Sequence, residues 1–247
     1  VRFRLAIKIS DGKMATFEII EGKAGQGKSM YTAIKANDLL VRNKKFYAKT
    51  GVKRPIYSNI RFSDSFEKAA EGFLFYWTNL IDVTKLYDCD LLWDEIATEL
   101  DSRNFANLSA EVKRFLSQYR KRGVDIYANT QDFSMIDIRA RIMVTRVASL
   151  RKLAGSRDPS PTKPDVTRVW GVVMVRELQT ILSDDPHNKR YDWLPSFFFI
   201  EKRYVDMYDT RQDIPLSPPM PLRHIAVKCE FCDDPAHSCN FHKVIHA

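Results

Sequence analysis

An α/β fold is what the order of elements along this chain implies: a mostly parallel sheet, helices on both its faces and an antiparallel extension at one edge. Three observations carry it. The strand-like run Thr16-Phe17-Glu18-Ile19-Ile20, ending at Glu21, passes through a glycine-rich loop, residues 22–29, into a helical segment. The run Asp90-Leu91-Leu92-Trp93-Asp94 is apolar on both faces, as strands covered by helices on each side are. Two longer runs, residues 142–153 and 166–178, flank the turn-rich segment 154–161 and read as an antiparallel pair.

The remaining elements follow in order. Residues 1–14 read as an N-terminal extension: the apolar run 3–7 is too short for a signal-peptide core, and Met14 stands just before the first strand. Residues 29–40 are predicted as a helix, with Met30, Ile34 and Leu40 apolar and no proline or glycine inside. Residues 54–60 form a strand-like run with Pro55 at its start, where a missing donor is tolerated. A helix over 110–122 stops at Gly123, and residues 124–130 resemble a further parallel strand. These elements make one domain, 15–212. Pro215, Pro218, Pro219 and Pro221 then mark an extended linker over 213–225, and a Cys/His-rich tail fills 226–247.

A chain of 247 residues that is 45% hydrophobic and 12% aromatic supports a packed core and excludes wholesale disorder. The formal charge of +8 favours a polyanionic partner. The cysteines do not form a disulfide framework, and Cys89 fits a buried place beside the acidic strand. No run approaches the roughly 18–20 apolar residues that cross a bilayer.

The loop Gly22-Lys23-Ala24-Gly25-Gln26-Gly27-Lys28-Ser29 fits the phosphate-loop pattern G-x-x-x-x-G-K-[ST] at every fixed position. Glycines let backbone N–H groups turn toward a triphosphate, and the start of the following helix adds its positive dipole. Gly22, Gly25, Gln26, Gly27, Lys28, Ser29 and Met30 are therefore the candidate ATP-binding residues. Lys28 would reach the β- and γ-phosphates, and the Ser29 hydroxyl would hold Mg²⁺. Asp94, at the end of its apolar strand, is the candidate acidic partner of the metal, and Glu95 the candidate base for an attacking water. Gln131, just past residues 124–130, is the candidate sensor of the γ-phosphate.

The tail carries Cys229, Cys232, His237, Cys239 and His242. Cys229, Cys232, His237 and His242, or Cys229, Cys232, Cys239 and His242, each supply four ligands suited to tetrahedral zinc. So short a unit has little core, and a bound metal would order it.

Seven segments occur together and in order: the phosphate loop, Pro55-Ile56-Tyr57-Ser58-Asn59-Ile60, Trp93-Asp94-Glu95, residues 119–126, Thr130-Gln131-Asp132, Ile136-Asp137-Ile138-Arg139 and Tyr208-Asp209-Thr210. In this combination the chain resembles the zonula occludens toxin family over about residues 16–210. That family includes the assembly ATPase of filamentous phages and is placed with the FtsK–HerA class of DNA-pumping motors. The resemblance implies a ring, a hexamer in such motors, that hydrolyses ATP at subunit interfaces to move viral genomic DNA without regard to sequence, with capsid or assembly proteins as further partners. Such sites take an arginine from the neighbouring subunit; Arg120, Arg122, Arg139 and Arg141 are candidates, and Arg139 is the choice. Lys113, Arg114, Arg120, Lys121 and Arg122 form a basic cluster suited to a DNA backbone. Filamentous-phage members continue into a membrane span that this sequence lacks, so packaging stands beside export. The place of action would be the host cytoplasm, the virion, or the face of the inner membrane. Two other classes use the same loop: a nucleoside or small-molecule kinase, and a non-hydrolysing scaffold whose assembly nucleotide controls.

Overall fold

Every residue of Phe17–Glu21 is buried, and the strand it forms, β1, lies inside an eight-stranded sheet. The computed structural model describes residues 15–101, 105–155, 171–178 and 194–200, together with Tyr204 and Met207. After β1 come α1 (Lys28–Thr50), β2 (Ile56–Ser58), α2 (Asp64–Ala69), β3 (Leu74–Tyr76), α3 (Leu80–Val83), β4 (Asp90–Trp93) and α4 (Ala97–Leu100). The order continues with α5 (Ala110–Gln118), β5 (Asp125–Thr130), α6 (Ile138–Arg141), β6 (Arg146–Gly155), β7 (Gly171–Glu177) and β8 (Ser196–Ile200). The strands lie in the order β3-β2-β4-β5-β1-β6-β7-β8. All neighbours from β3 to β6 are parallel, and β7 and β8 extend the β6 edge antiparallel.

Side-chain alternation sorts the core onto two faces. Phe17, Ile19, Leu91, Trp93, Ile126 and Ala128 pack with Val112, Phe115 and Leu116 of α5. Leu92 and Tyr127 point the other way, against Ala33, Ala36 and Leu39 of α1. The expected two-faced α/β architecture with its antiparallel edge is the one observed.

The element ends differ from expectation in instructive ways. α1 runs ten residues beyond Leu40, to Thr50. Residues 41–50 contain no helix breaker, and the helix stops where Gly51 turns left-handed (φ 72°) and donates its N–H to the Tyr47 carbonyl at 2.8 Å. α5 ends at Gln118, and turns carry the chain to Gly123, whose φ is 65°. In β6 the pairing with β7 shifts register between Lys152 and Ala154, and residues 142–145 precede the strand. The extension 1–14, the connection 156–161, Tyr208-Asp209-Thr210, the linker 213–225 and the tail 226–247 lie outside the described residues.

Two buried charge networks fasten α1 to the sheet. Lys35 (0% exposed) pairs with Glu18 of β1 at 3.0 Å; Glu18 also accepts from the Tyr31 hydroxyl and faces Arg146 at 3.7 Å. Burial pulls the Lys35 ammonium below its ordinary range, and Glu18 opposes the shift. At the amino end of β4, Asp90 accepts hydrogen bonds from Arg42, Asn43 and Arg54.

Candidate functional site

The ends of β1, β4 and β5 leave their last residues, Glu21, Trp93 and Thr130, at one edge of the sheet. β1 stands between β5 and β6, so the chain crosses over it, and such a crossover edge is where open α/β sheets bind ligands. The phosphate loop leaves from here. Gly22 donates its N–H to the Thr130 carbonyl at 3.2 Å, and Gln26 donates to the Lys23 carbonyl at 3.2 Å. The Gln26 side chain turns outward and accepts from the backbone N–H of Lys152 at 2.7 Å, where β6 changes register. The loop thereby continues along the edge of β6 that β1 has left.

Gly25 and Gly27 both have left-handed backbones, φ 76° and 94°. A Cβ at Gly27 would sit 3.1 Å from Val173 of β7, so the antiparallel edge backs the loop. A Cβ at Gly25 would meet nothing within 4 Å; that side of the loop is open. α1 begins with no side-chain cap and no acidic residue in its first turn. The head of a 23-residue helix with no side-chain cap and no acidic residue in its own first turn fits a bound phosphate group. The Lys28 ammonium folds back onto the loop, donating to the Gly22 carbonyl at 2.7 Å. Ser29 is half-buried in the first turn, and Met30 packs against the cluster of Ile20, Tyr31, Leu150 and Val173.

Asp94 and Glu95 follow β4 directly. The Asn59 side chain takes the Asp94 N–H at 2.7 Å and gives one back to its carbonyl at 3.2 Å, extending the β2–β4 pairing. On the other side Asn129 donates to the Asp94 carboxylate at 2.9 Å and accepts from Thr32 Oγ1 at 2.9 Å. Thr32 lies one turn beyond Lys28 on α1. A chain Thr32–Asn129–Asp94 thus joins the loop helix to the acidic strand. Glu95 is left-handed (φ 50°), a conformation rare for a side chain with a Cβ. It is fixed between the Asn59-held Asp94 and Ile96, whose N–H bonds the Asn129 carbonyl at 3.0 Å. Burial, then the neighbouring Asp94, raise the Glu95 carboxyl above its ordinary range, while Lys28 draws it down. The loop lysine and the candidate base therefore share one electrostatic field.

Gln131 is exposed, immediately after β5 and next to the carbonyl that holds Gly22. Arg139 is tied within its own chain: its guanidinium forks onto Asp137 at 2.8 and 2.9 Å and stacks over Phe105 at 4.4 Å. Other arginines of the expected set are engaged too. Arg120 donates to the Tyr119 hydroxyl, and Arg122 donates to the Thr84 carbonyl between the rings of Tyr87 and Phe115. Among the described residues no cluster of three or more histidines, cysteines or acids is arranged to hold a metal; the five tail residues lie outside them.

Sequence reasoning gave no role to Asn59, Asn129 or Thr32. A signal for Asn129 existed: it is a polar residue within a strand otherwise read as buried, two positions before Gln131.

No protein-family model matches the chain, and no curated protein matches it. Among solved structures, the N-terminal domain of zonular occludens toxin from Neisseria meningitidis is similar at 18% identity with a TM-score of 0.50, over 79% of this chain and 100% of that one. The genome packaging NTPase B204 of Sulfolobus turreted icosahedral virus 2, in complex with AMP, gives 11% identity and a TM-score of 0.40, over 60% of this chain and 78% of that one. The flagellar accessory protein FlaH of Methanocaldococcus jannaschii gives 12% and 0.40, over 66% and 76%. The fold is that of a P-loop NTPase, shared with the zonular occludens toxin domain.

Proposed function

We propose that this protein is an ATP hydrolase that moves genomic DNA during assembly of a virus or phage, by packaging or by export. The observation that carries the reading is the hydrogen-bonded chain Thr32–Asn129–Asp94, which ties the helix behind the phosphate loop to the clamped Asp94–Glu95 pair at the crossover edge of the sheet.

The site's chemistry follows from its own residues. The triphosphate takes the uncapped N–H groups of α1, and the Lys28 ammonium exchanges the Gly22 carbonyl for phosphate oxygens. The oxygens of Ser29 and Asp94 are hard ligands that suit Mg²⁺, which when bound neutralises charge on the β- and γ-phosphates. Glu95 accepts the proton of a water whose oxygen attacks the γ-phosphorus as the bond to the leaving diphosphate breaks. Its left-handed backbone is fixed by hydrogen bonds on both sides, which costs no reorganisation during the reaction. Gln131 stands at the loop's edge to register the γ-phosphate.

The reading extends to a homo-oligomeric ring in which Arg139 leaves Asp137 and stabilises the neighbour's transferring phosphoryl group. It also gives the Cys/His tail a zinc ion and contacts with capsid or assembly proteins, in the host cytoplasm or the virion. The net charge of +8 and the segments resembling DNA-pumping motors support the DNA reading. The test is steady-state ATP turnover with and without DNA of unrelated sequences, with the oligomeric state measured alongside. Turnover that any DNA stimulates, by an oligomer, is expected. A strictly monomeric enzyme that ignores DNA and passes phosphate to a nucleoside would overturn the proposal in favour of a kinase.

A further inference from the structure

We infer that the overhanging end of α1 is a binding surface for single-stranded nucleic acid, built from Lys45, Phe46, Tyr47, Lys49 and Lys53. The inference rests on the DNA reading above and names where the strand lies.

Residues 44–52 are all exposed, although α1 is buried along its earlier turns. None of its residues is buried, yet it carries two large aromatic side chains, Phe46 (45% exposed) and Tyr47 (41% exposed). The sequence contains no aspartate or glutamate between Asp38 and Asp64, while Arg42, Lys44, Lys45, Lys49, Lys53, Arg54 and Arg61 all fall there. Arg42 and Arg54 are neutralised by Asp90 and Asp125. Lys44, Lys45, Lys49 and Lys53 make no ion pair among the described residues. The result is a run of lysines without ion-pair partners beside exposed rings; the acid Glu71, after α2, adjoins Gly72, which the Lys53 ammonium approaches.

The Tyr47 ring is held in place. Tyr47 meets Phe73 edge-on at 6.0 Å, and the Lys53 ammonium lies 5.5 Å from both ring centres. Lys44 is anchored to the Ala69 carbonyl at 2.6 Å, which places the end of α2, with exposed Lys68, alongside. Cations that follow a phosphate backbone, interleaved with rings on which bases stack, are the elements of sequence-tolerant single-strand binding. A duplex would use only the cations, because its bases already stack on each other. An anionic membrane would also attract the lysines, and the vesicle arm of the test below separates it from a nucleic acid strand. Arg120 and Arg122 of the α5 region are already engaged, as described, whereas Lys45 and Lys49 make no ion pair among the described residues. With 23 residues, α1 is about 34 Å long at 1.5 Å per residue. A strand bound at its far end leaves the phosphate loop clear.

The test uses the full chain and fluorescence anisotropy with labelled oligothymidylate, a duplex of equal length, and vesicles containing phosphatidylserine. Lys45→Glu/Lys49→Glu should weaken oligothymidylate binding at least tenfold and flatten its salt dependence by about 0.7 per lost phosphate contact. Tyr47→Ala should weaken it about fivefold or more at an unchanged salt slope, leaving duplex binding as it was. A charge-matched Lys85→Glu/Arg176→Glu variant, away from the overhang, should bind as wild type does. All substituted side chains are exposed, and each variant must melt at the wild-type temperature to be compared. Wild-type oligothymidylate affinity in the Lys45/Lys49 variant, or loss of vesicle binding alone, overturns the inference. DNA-stimulated ATP turnover persisting beside that result would leave the motor reading standing. Strand binding that maps to this surface without any stimulation of turnover would do the reverse.

Discussion

Replacing Asn129 with alanine isolates the link between the loop helix and the acidic strand. Asn129 is 1% exposed, gives one hydrogen bond to the Asp94 carboxylate and takes one from Thr32, each 2.9 Å long. The two losses are unequal. Thr32 Oγ1 also lies 3.1 Å from the Lys28 carbonyl, so its proton finds that acceptor when Asn129 is gone. Asp94 loses a charge-assisted partner and keeps only backbone contacts to Asn59. The stability cost is therefore that of one ordinary buried bond, about 1 kcal/mol. The functional cost is the orientation of a carboxylate, a bond worth roughly 1.5–3 kcal/mol, and loss of such supporting partners lowers metal affinity or activity about 10–100-fold. Turnover measured across a Mg²⁺ titration should show both a lower maximum and a higher half-saturating Mg²⁺ concentration, with the melting temperature nearly unchanged. A variant with wild-type turnover and wild-type Mg²⁺ dependence would show that the Thr32–Asn129–Asp94 chain has no part in the chemistry.

Two further outcomes follow from the charge networks. Lys35→Met leaves the buried Glu18 carboxylate with Tyr31 and a more distant Arg146, so the cost should fall at the low end of a broken buried pair, about 3 kcal/mol, or a melting temperature lower by about 6–12 °C. Adding Glu18→Leu should recover much of that loss, and an unchanged melting temperature in the single variant would contradict the network's role. The hydrogen bond from Arg139 holds the Asp137 carboxyl below its ordinary range. A depressed carboxyl stabilises the fold above the unfolded-state value near 3.8, and the contribution fades as pH falls through the lower folded value. The difference in melting temperature between wild type and Asp137→Asn should accordingly be full near pH 6 and vanish in acid; a difference independent of pH would contradict it.

Much of this arrangement is legible in the sequence because burial leaves a pattern. β1, β4 and β5 are covered on both faces, and their runs of apolar residues announce them. The phosphate loop is legible because its glycines and lysine have fixed spacing. β3 is not: Leu74-Phe75-Tyr76 is three half-buried residues long, too short for any alternation to register. The end of α1 is hidden for the opposite reason, since a helix that buries nothing past Asn43 shows no periodicity to follow. Asn59 and Asn129 acquire their meaning only in three dimensions, where β2 and β5 bring them to either side of Asp94. Arg139 was legible as a basic residue near the site, but its fork onto Asp137 depends on the short turn of α6.

The most direct measurement is ATP turnover by Glu95→Gln in the presence of DNA, compared with nucleotide binding by the same protein. The substitution keeps the shape of the side chain and removes its basicity, while the loop, Lys28 and Asp94 remain. Binding of ATP close to wild type with turnover reduced a hundredfold or more is expected, as general-base catalysis contributes about 10²–10⁴-fold. Undiminished DNA-stimulated hydrolysis by Glu95→Gln would contradict the assignment of this edge of the sheet as a hydrolytic site.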